Sequence, residues 1–117
     1  MPNFSIKHED KVRLRHMLDA ALEIQQYAQS ATREDLNRDR KLVHSLVRLL
    51  EIIGEAATQV SDELKARIPE IPWLIIIGMR NRLIHAYFAI NLNVVWSTST
   101  EDVPLLIADL KRILGQQ

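Results

Sequence analysis

The chain has 117 residues, 47% of them apolar, with 15 basic and 15 acidic side chains and no cysteine. A formal net charge of zero excludes a polycation that binds nucleic acid by bulk charge, and the lack of cysteine excludes disulfide frameworks, cysteine zinc sites and thiol nucleophiles. No apolar run reaches the ~18 residues of a membrane span and the N-terminus has no signal-peptide stretch, so we expect a cytoplasmic protein that does not enter a membrane.

The first half of the chain is predicted to form two long helices. Leu and Ile fill 29 positions against 3 Gly and 4 Pro, and residues 3–53 contain neither Gly nor Pro. Apolar positions repeat with the helical period from about His8 to Gln29. Thr32 followed by Asp35 is typical of a helix start, which predicts a second helix from about Arg33 to Val60.

The second predicted helix carries a polar stripe whose role the sequence leaves open. The stripe is either a solvent-exposed face held by ion pairs or a polar wall facing a cleft, because its members are spaced by three and four and can pair. Gly54 lies inside this helix at a cost of about 1 kcal/mol relative to Ala, and it would allow a close contact with another helix. The stripe consists of Arg40, Lys41, His44, Arg48, Glu51, Glu55 and Gln59.

The middle of the chain is predicted to form a short connecting helix and then a strongly apolar one. The connecting helix begins at Ser61 and stops before Pro69, and Pro72 suits the first turn of the helix that follows. From Trp73 to about Phe88 the chain is apolar almost all round, which predicts a helix in the middle of the structure.

The last part of the chain is predicted to form a short helical turn and a terminal helix. The turn covers Asn91 to Ser97, Thr98–Asp102 offers several N-cap candidates for the terminal helix, and Gly115 ends it. The sequence thus predicts one all-α domain over residues 1–117, an up-and-down helical bundle of four main helices plus short connecting helices.

The placement of charge is more informative than its total. Between Ile71 and Thr100 there is no acidic residue, and Arg80 and Arg82 are the only full charges. Because an unpaired buried guanidinium costs several kcal/mol, each needs a partner from another helix, another subunit or a ligand. An anionic ligand is a good match, since the donor fork of arginine fits phosphate.

Helical geometry relates these arginines to the polar residues that follow them. On a straight helix, Asn81 and His85 lie one turn apart on one face, where the amide could hold the imidazole in a chosen tautomer. Arg80 and His85 lie about 140° apart around such a helix, too wide to grip one small group. Either the helix ends near His85 and turns, or a second copy completes the site across a two-fold axis, which would also bury apolar surface.

Other interpretations of the same residues must be weighed. A lone histidine near a helix end is more often a cap or a satisfied, partly buried residue than a catalyst, and Tyr87 alone fits an interface or core aromatic. The four histidines are scattered, with no His-x3-His pair, so we predict neither a metal nor a cofactor.

Residues 80–87 read Arg-Asn-Arg-Leu-Ile-His-Ala-Tyr, which is Arg-x4-His-x-Tyr with a polar residue directly after the first arginine. This pattern resembles the signature of HepT-like toxins, which belong to the HEPN superfamily of helical ribonucleases. The resemblance covers about residues 8 to 114. It extends to the flanking segments Leu50-Glu51-Ile52-Ile53-Gly54-Glu55-Ala56-Ala57, Ile68-Pro69-Glu70-Ile71-Pro72-Trp73, Gly78-Met79 and Asn93-Val94-Val95-Trp96.

The resemblance implies a homodimer, with the helix of the motif at its interface, that cleaves RNA without a metal. His85 would act as general base or acid, Arg80 would stabilise charge on the phosphoryl oxygens, and Asn81 would orient the site. It also implies a minimal nucleotidyltransferase antitoxin of the MntA type that can add AMP to Tyr87. The added bulk and negative charge would block an RNA phosphate from the site.

Three functions remain open from the sequence. The first is a toxin ribonuclease, favoured by the intact Arg80, His85 and Tyr87. The second is a catalytically silent interaction module that dimerises and docks a nucleotidyltransferase, which the absence of an obvious basic groove keeps open. The third is a nucleotide-binding helical domain in which Arg80 and Arg82 hold phosphates without chemistry.

Overall fold

Three long helical segments form the body of the molecule, an all-α bundle. The structure, a computed structural model, describes residues 5–85 and 89–115, with Ile84 and His85 described by their backbone alone. Its helices are α1 (His8–Gln29), α2 (Arg40–Gln59), α3 (Asp62–Arg67), α4 (Trp73–Ile77), α5 (Met79–Leu83), α6 (Leu92–Ser97) and α7 (Val103–Leu114); a 3₁₀ helix covers Arg33–Asn37, a π-helical turn Thr98–Asp102, and two short strands are β1 (Ile84–His85) and β2 (Ala89–Ile90).

Helix α1 has the predicted bounds and lies at the centre of the bundle, packed against both α2 and α7. Leu14, Met17 and Ile24 on its inner face are fully buried. The unbroken helical period of the sequence was sufficient to predict this element because one continuous apolar face meets the core.

The second predicted helix is two elements, so the prediction of one helix from 33 to 60 is wrong at its start. Thr32 does begin a helix, through a capping box with Asp35, but that helix is a single 3₁₀ turn. Asp39 then caps α2: its side-chain oxygen Oδ1 accepts a hydrogen bond from the backbone N–H of Leu42 at 3.0 Å. A second N-cap signal therefore overrides the continuous apolar pattern.

Helix α3 starts as predicted, and its N-cap also ties it to α1. The Ser61 hydroxyl accepts from the N–H of Leu64 at 3.2 Å. The buried Asp10 of α1 accepts from the backbone N–H of Ser61 at 2.9 Å and from its hydroxyl at 2.6 Å. This carboxylate therefore fixes the end of α2 and the start of α3 against α1.

The expected helix from Trp73 to Phe88 is the prediction that the structure corrects most. The segment forms two five-residue helices, α4 and α5, separated by Gly78, and after Leu83 the chain continues into β1. It lies on the surface of the chain rather than in its middle, because Leu74 is 86% exposed and Ile75 54%. One of the four predicted main helices is thus broken.

The terminal helix does not begin at a cap in Thr98–Asp102, as the sequence predicted. Helix α6 begins at the side-chain cap of Asn91, and helical geometry then runs on through the π-helical turn into α7. The hydroxyl of Thr100 donates to the carbonyl of Trp96 at 2.8 Å, so it bonds back to the preceding turn instead of capping a new helix.

The core lies between α1, α2 and α7 and is closed on one side by α4 and α5. None of the helices among the described residues is both long enough and apolar enough to cross a bilayer. Fully buried members include Leu14, Met17, Ile24, Leu46, Leu50, Ile53, Ile71, Leu83, Val95 and Leu110.

Candidate functional site

Helix α5, which carries the first half of the sequence motif, is held through the segment before it. The indole Nε1 of Trp73 donates to the carbonyl of Ile68 at 3.0 Å, and this bond is buried. Gly78 ends α4 with φ −82° and ψ 9°, and its carbonyl accepts from the N–H of Asn81 at 3.1 Å. These two hydrogen bonds fix the start of α4 and the junction between α4 and α5.

Gly54 of α2 allows the segment to approach that helix closely. A Cβ at this position would lie 3.0 Å from the backbone oxygen of Ile76, 3.8 Å from that of Ile77 and 3.9 Å from the Cβ of Met79. A contact of 3.0 Å would require the backbone at Ile76 to move by a few tenths of an ångström. The close helix–helix contact expected at Gly54 is therefore present, and its partners are α4 and α5.

The close approach brings Arg80 to Glu51. The guanidinium Nε donates to the carboxylate Oε2 of Glu51 at 2.9 Å. The sequence predicted that the charge partner of Arg80 lies outside residues 71–100. Helix α2 supplies this partner, Glu51. Arg80 and Arg82 are both exposed, and the side chain of Arg80 is 71% accessible. The expectation that these two arginines are buried is therefore wrong.

The polar stripe of α2 divides between its two possible roles. Most of its members are exposed, as a solvated face would be, and Arg48 pairs with Glu55 across two turns at 3.4 Å. Glu51 is the partly buried exception, and with Gly54 and Arg80 it lines a crevice of about 180 Å³. The sequence placed Glu51 in the stripe but gave no sign that it meets Arg80.

The histidine of the motif lies on a strand, not on the helix. Helix α5 ends at Leu83, and β1 pairs antiparallel with β2, with Ile84 opposite Ile90 and His85 opposite Ala89. The backbone N–H of Asn91 closes the turn by donating to the carbonyl of Leu83 at 2.7 Å. The helix therefore ends before His85 and the chain turns, as the first of the two geometric alternatives expected. The second alternative, a site completed by a second copy, stays a prediction.

The end of α5 at Leu83 also changes the expected relation between Asn81 and His85. Asn81 is exposed on α5, and because the helix does not reach His85 the two do not share a helical face. The side chain of His85 and all of Tyr87 lie outside the described residues.

An apolar groove lies beside α5, between the α4–α5 segment and α7. It encloses about 610 Å³, and Arg82 lies at its edge. Leu105 on the α7 side of the groove is 68% exposed, and Ile75 on the opposite side is 54% exposed. The groove is lined by Ile53, Glu70, Pro72, Ile75, Ile76, Met79, Arg82, Asp102, Val103, Leu105, Leu106 and Asp109.

Charge at the groove rim is largely paired. Arg112 donates to Asp109 and to Glu70, both at 3.1 Å. The hydrogen bond that Asp109 accepts is the main reason that the pKa of Arg112 is raised above its usual value. Among the side chains that the structure describes, no group of three His, Asp or Glu could hold a metal ion.

Comparison with known proteins gives consistent matches along the chain. A family model described as Ribonuclease HepT-like matches residues 17–113. The chain is 35% identical over 108 residues to "Probable ribonuclease HepT" of Thermococcus cleftensis, covering 92% of this chain and 98% of that protein. It is 35% identical over 104 residues to a "Putative RNase" of Caldanaerobacter subterraneus subsp. tengcongensis, covering 89% and 93% of the two chains. A "Putative RNase" of Methanocaldococcus jannaschii is 31% identical over 98 residues, covering 84% and 90%. No solved structure matches the chain significantly.

Proposed function

Because the chain belongs to the HepT-like ribonuclease family, we propose that it is an endoribonuclease and the toxin of a toxin–antitoxin pair. The observation that carries the proposal is the placement of Arg80. Its guanidinium is exposed to solvent, is held by a carboxylate of α2, and stands five residues before His85 in the Arg-x4-His-x-Tyr pattern. An exposed but anchored guanidinium can bind an RNA phosphate without any other part of the fold moving.

In the proposed reaction, the 2′-oxygen of a ribose attacks the neighbouring phosphorus, and the bond from phosphorus to the 5′-oxygen of the next nucleotide breaks. His85 takes the proton of the 2′-hydroxyl or gives a proton to the leaving 5′-oxygen, because imidazole exchanges protons near neutral pH, and solvent water makes the other proton transfer. Arg80 stabilises the negative charge on the phosphoryl oxygens, and Asn81 orients the site. These side chains supply both proton transfer and charge stabilisation, so the proposed cleavage is independent of a metal.

We further propose that the active form is a homodimer whose interface includes the α4–α5 segment. The support is the exposed apolar surface of the groove, formed by Ile75 and Leu105, together with the exposed Leu74, which precedes Ile75 on α4. Exposed apolar side chains that adjoin a groove are typical of protein interfaces. A two-fold pairing there would bring the two copies of α5 close to each other, since α5 adjoins the groove through Arg82.

The proposed antitoxin is a nucleotidyltransferase of the MntA type, which adds AMP to Tyr87. Tyr87 follows His85 by two residues, so an adenylate there would bring bulk and negative charge next to the proposed site. An RNA phosphate would then meet both a steric and an electrostatic barrier.

A second function, the catalytically silent interaction module, is favoured by two observations. The formal net charge is zero, and the acidic partner of Arg80 reduces the positive potential at the motif. Such a module would dimerise through the same apolar groove and would dock a nucleotidyltransferase, but it would cut no RNA.

Expression in a bacterial host separates the two functions. The parent, His85→Ala and Arg80→Ala are each expressed alone, growth is followed, and total RNA is examined on a gel. His44→Ala is the matched control, because His44 is an exposed histidine on α2 outside the motif. The ribonuclease predicts arrest and RNA cleavage with the parent and with His44→Ala only. Arrest that persists in His85→Ala would contradict the catalytic role, and growth with all four soluble proteins would favour the silent module.

A further inference from the structure

The ion pair between Glu51 and Arg80 joins a long helix to a short one. Arg80 lies on the five-residue helix α5, and its side chain is 71% exposed, whereas the side chain of Glu51 is only 20% exposed. Glu51 lies on the twenty-residue α2, next to the fully buried Leu50. The carboxylate is therefore the fixed member of the pair, and the guanidinium is the member that it holds.

Glu51 occupies only the Nε edge of the Arg80 guanidinium. The edge formed by the two terminal nitrogens is available to a ligand. Arginine has one Nε–H donor and two terminal NH₂ groups in a planar fork. Glu51 accepts from Nε at 2.9 Å, and among the described residues no hydrogen bond from a terminal nitrogen of Arg80 is present. The terminal pair is the edge that binds two oxygens of a phosphate at once.

We infer that Glu51 is a positioning residue of the proposed ribonuclease, which holds the Nε edge of Arg80 so that its terminal nitrogens face the scissile phosphate. The inference rests on the proposed function. An exposed arginine without an anchor samples many rotamers, and few of them would place its fork at the phosphate. By fixing one edge, Glu51 makes the correct geometry available before RNA binds.

The charge of Glu51 has the opposite effect on binding, and this makes the role testable. A carboxylate beside the site repels RNA phosphates, so removing it should leave RNA binding as strong as before or make it stronger. If Glu51 positions Arg80 for the transition state, removing it lowers kcat while KM stays the same or falls. If Glu51 only held the fold together, its removal would instead lower the thermal stability.

The test measures initial rates of cleavage of total bacterial RNA at a series of RNA concentrations, with purified protein. Glu51→Ala should lower kcat by about 10- to 100-fold, the size expected when a catalytic group is misplaced by up to 1 Å. Glu51→Gln should keep most of the rate, because the amide oxygen still accepts from Nε. In an Arg80→Ala background, Glu51→Ala should have no further effect, since the two residues act as one unit.

Glu55→Ala is the matched control. Glu55 is a glutamate on the same helix, one turn further along, and its partner is Arg48 rather than Arg80. The Glu55→Ala variant should cleave RNA at the rate of the parent. Thermal unfolding by circular dichroism is measured for every variant, so that loss of the fold is distinguished from loss of positioning.

The outcomes separate this inference from the function on which it rests. If the parent is active and Arg80→Ala is much slower but still measurable, a Glu51→Ala variant with the kcat of the parent overturns the inference alone. A fall in kcat that is as large in the Arg80→Ala background as in the parent also overturns it, because Glu51 would then act independently of Arg80. A parent that cleaves no RNA overturns the proposed function and the inference together.

Discussion

Replacing Gly54 by alanine tests whether the packing of α2 against the α4–α5 segment controls the site. The new Cβ would lie 3.0 Å from the backbone oxygen of Ile76, so that backbone must move by a few tenths of an ångström. Alanine gains about 1 kcal/mol of helix propensity over glycine. Overpacking of a close contact costs about 1–3 kcal/mol. The two effects leave a net loss of about 1 kcal/mol, which lowers the melting temperature by about 4 °C in a domain of this size.

The same substitution should also lower activity. The displaced segment carries Arg80, whereas Glu51 stays on α2 with Gly54, so the 2.9 Å contact between the two side chains lengthens. A shift of a few tenths of an ångström should reduce cleavage about threefold, given that 1 Å can cost about 100-fold. The assay combines thermal unfolding by circular dichroism with initial cleavage rates well below the melting temperature.

Gly78→Ala provides the comparison for this prediction. Its Cβ would lie 3.3 Å from the oxygen of Leu74, a milder contact, and φ at Gly78 is −82°, which alanine adopts readily. We expect a smaller effect on both measurements. A Gly54→Ala variant that melts about 4 °C above the parent and cleaves at the full rate would refute the reasoning, because helix propensity alone would then account for the change.

Three further predictions concern the fold, the interface and the modification. Asp10→Ala should lower the free energy of unfolding by about 3 kcal/mol in urea, because two charge-assisted hydrogen bonds to Ser61 are lost; a change under about 0.5 kcal/mol would contradict this. The double substitution Ile75→Glu and Leu105→Glu should convert the proposed dimer to a folded monomer, as measured by analytical ultracentrifugation, since both side chains line the groove and are exposed; an unchanged dimer would place the interface elsewhere. Co-expression with a cognate nucleotidyltransferase should add the mass of AMP to the peptide that contains Tyr87 but not to that of Tyr87→Phe, and an unmodified parent peptide would count against this mechanism.

The sequence predicted elements well where one local signal acts alone. Helix α1 follows from its apolar period, and the starts of α3 and α6 follow from Ser61 and Asn91, whose side chains cap those helices in the structure. Where two local signals compete, the sequence was not sufficient. The apolar period of residues 33–60 concealed the cap at Asp39, and the hydroxyls at residues 98–102 were read as caps although they lie within a helix.

The site was predictable in its residues but not in its arrangement. The motif and the unbalanced charge of residues 71–100 singled out Arg80 from the sequence. Its pairing with Glu51 joins positions 29 residues apart and depends on how closely α2 approaches α4 and α5 at Gly54, which no local pattern encodes. The end of α5 at Leu83 likewise depends on pairing between β1 and β2, since no glycine or proline marks the break.

The most direct test of the central claim is cleavage of total bacterial RNA by the purified chain in the presence of excess EDTA. A ribonuclease that uses His85 for proton transfer predicts cleavage by the parent without added metal, and a loss of at least about 100-fold in His85→Ala. Cleavage by His85→Ala at the rate of the parent would contradict the claim. Parent activity that disappears with EDTA and returns with excess Mg²⁺ would contradict its metal independence.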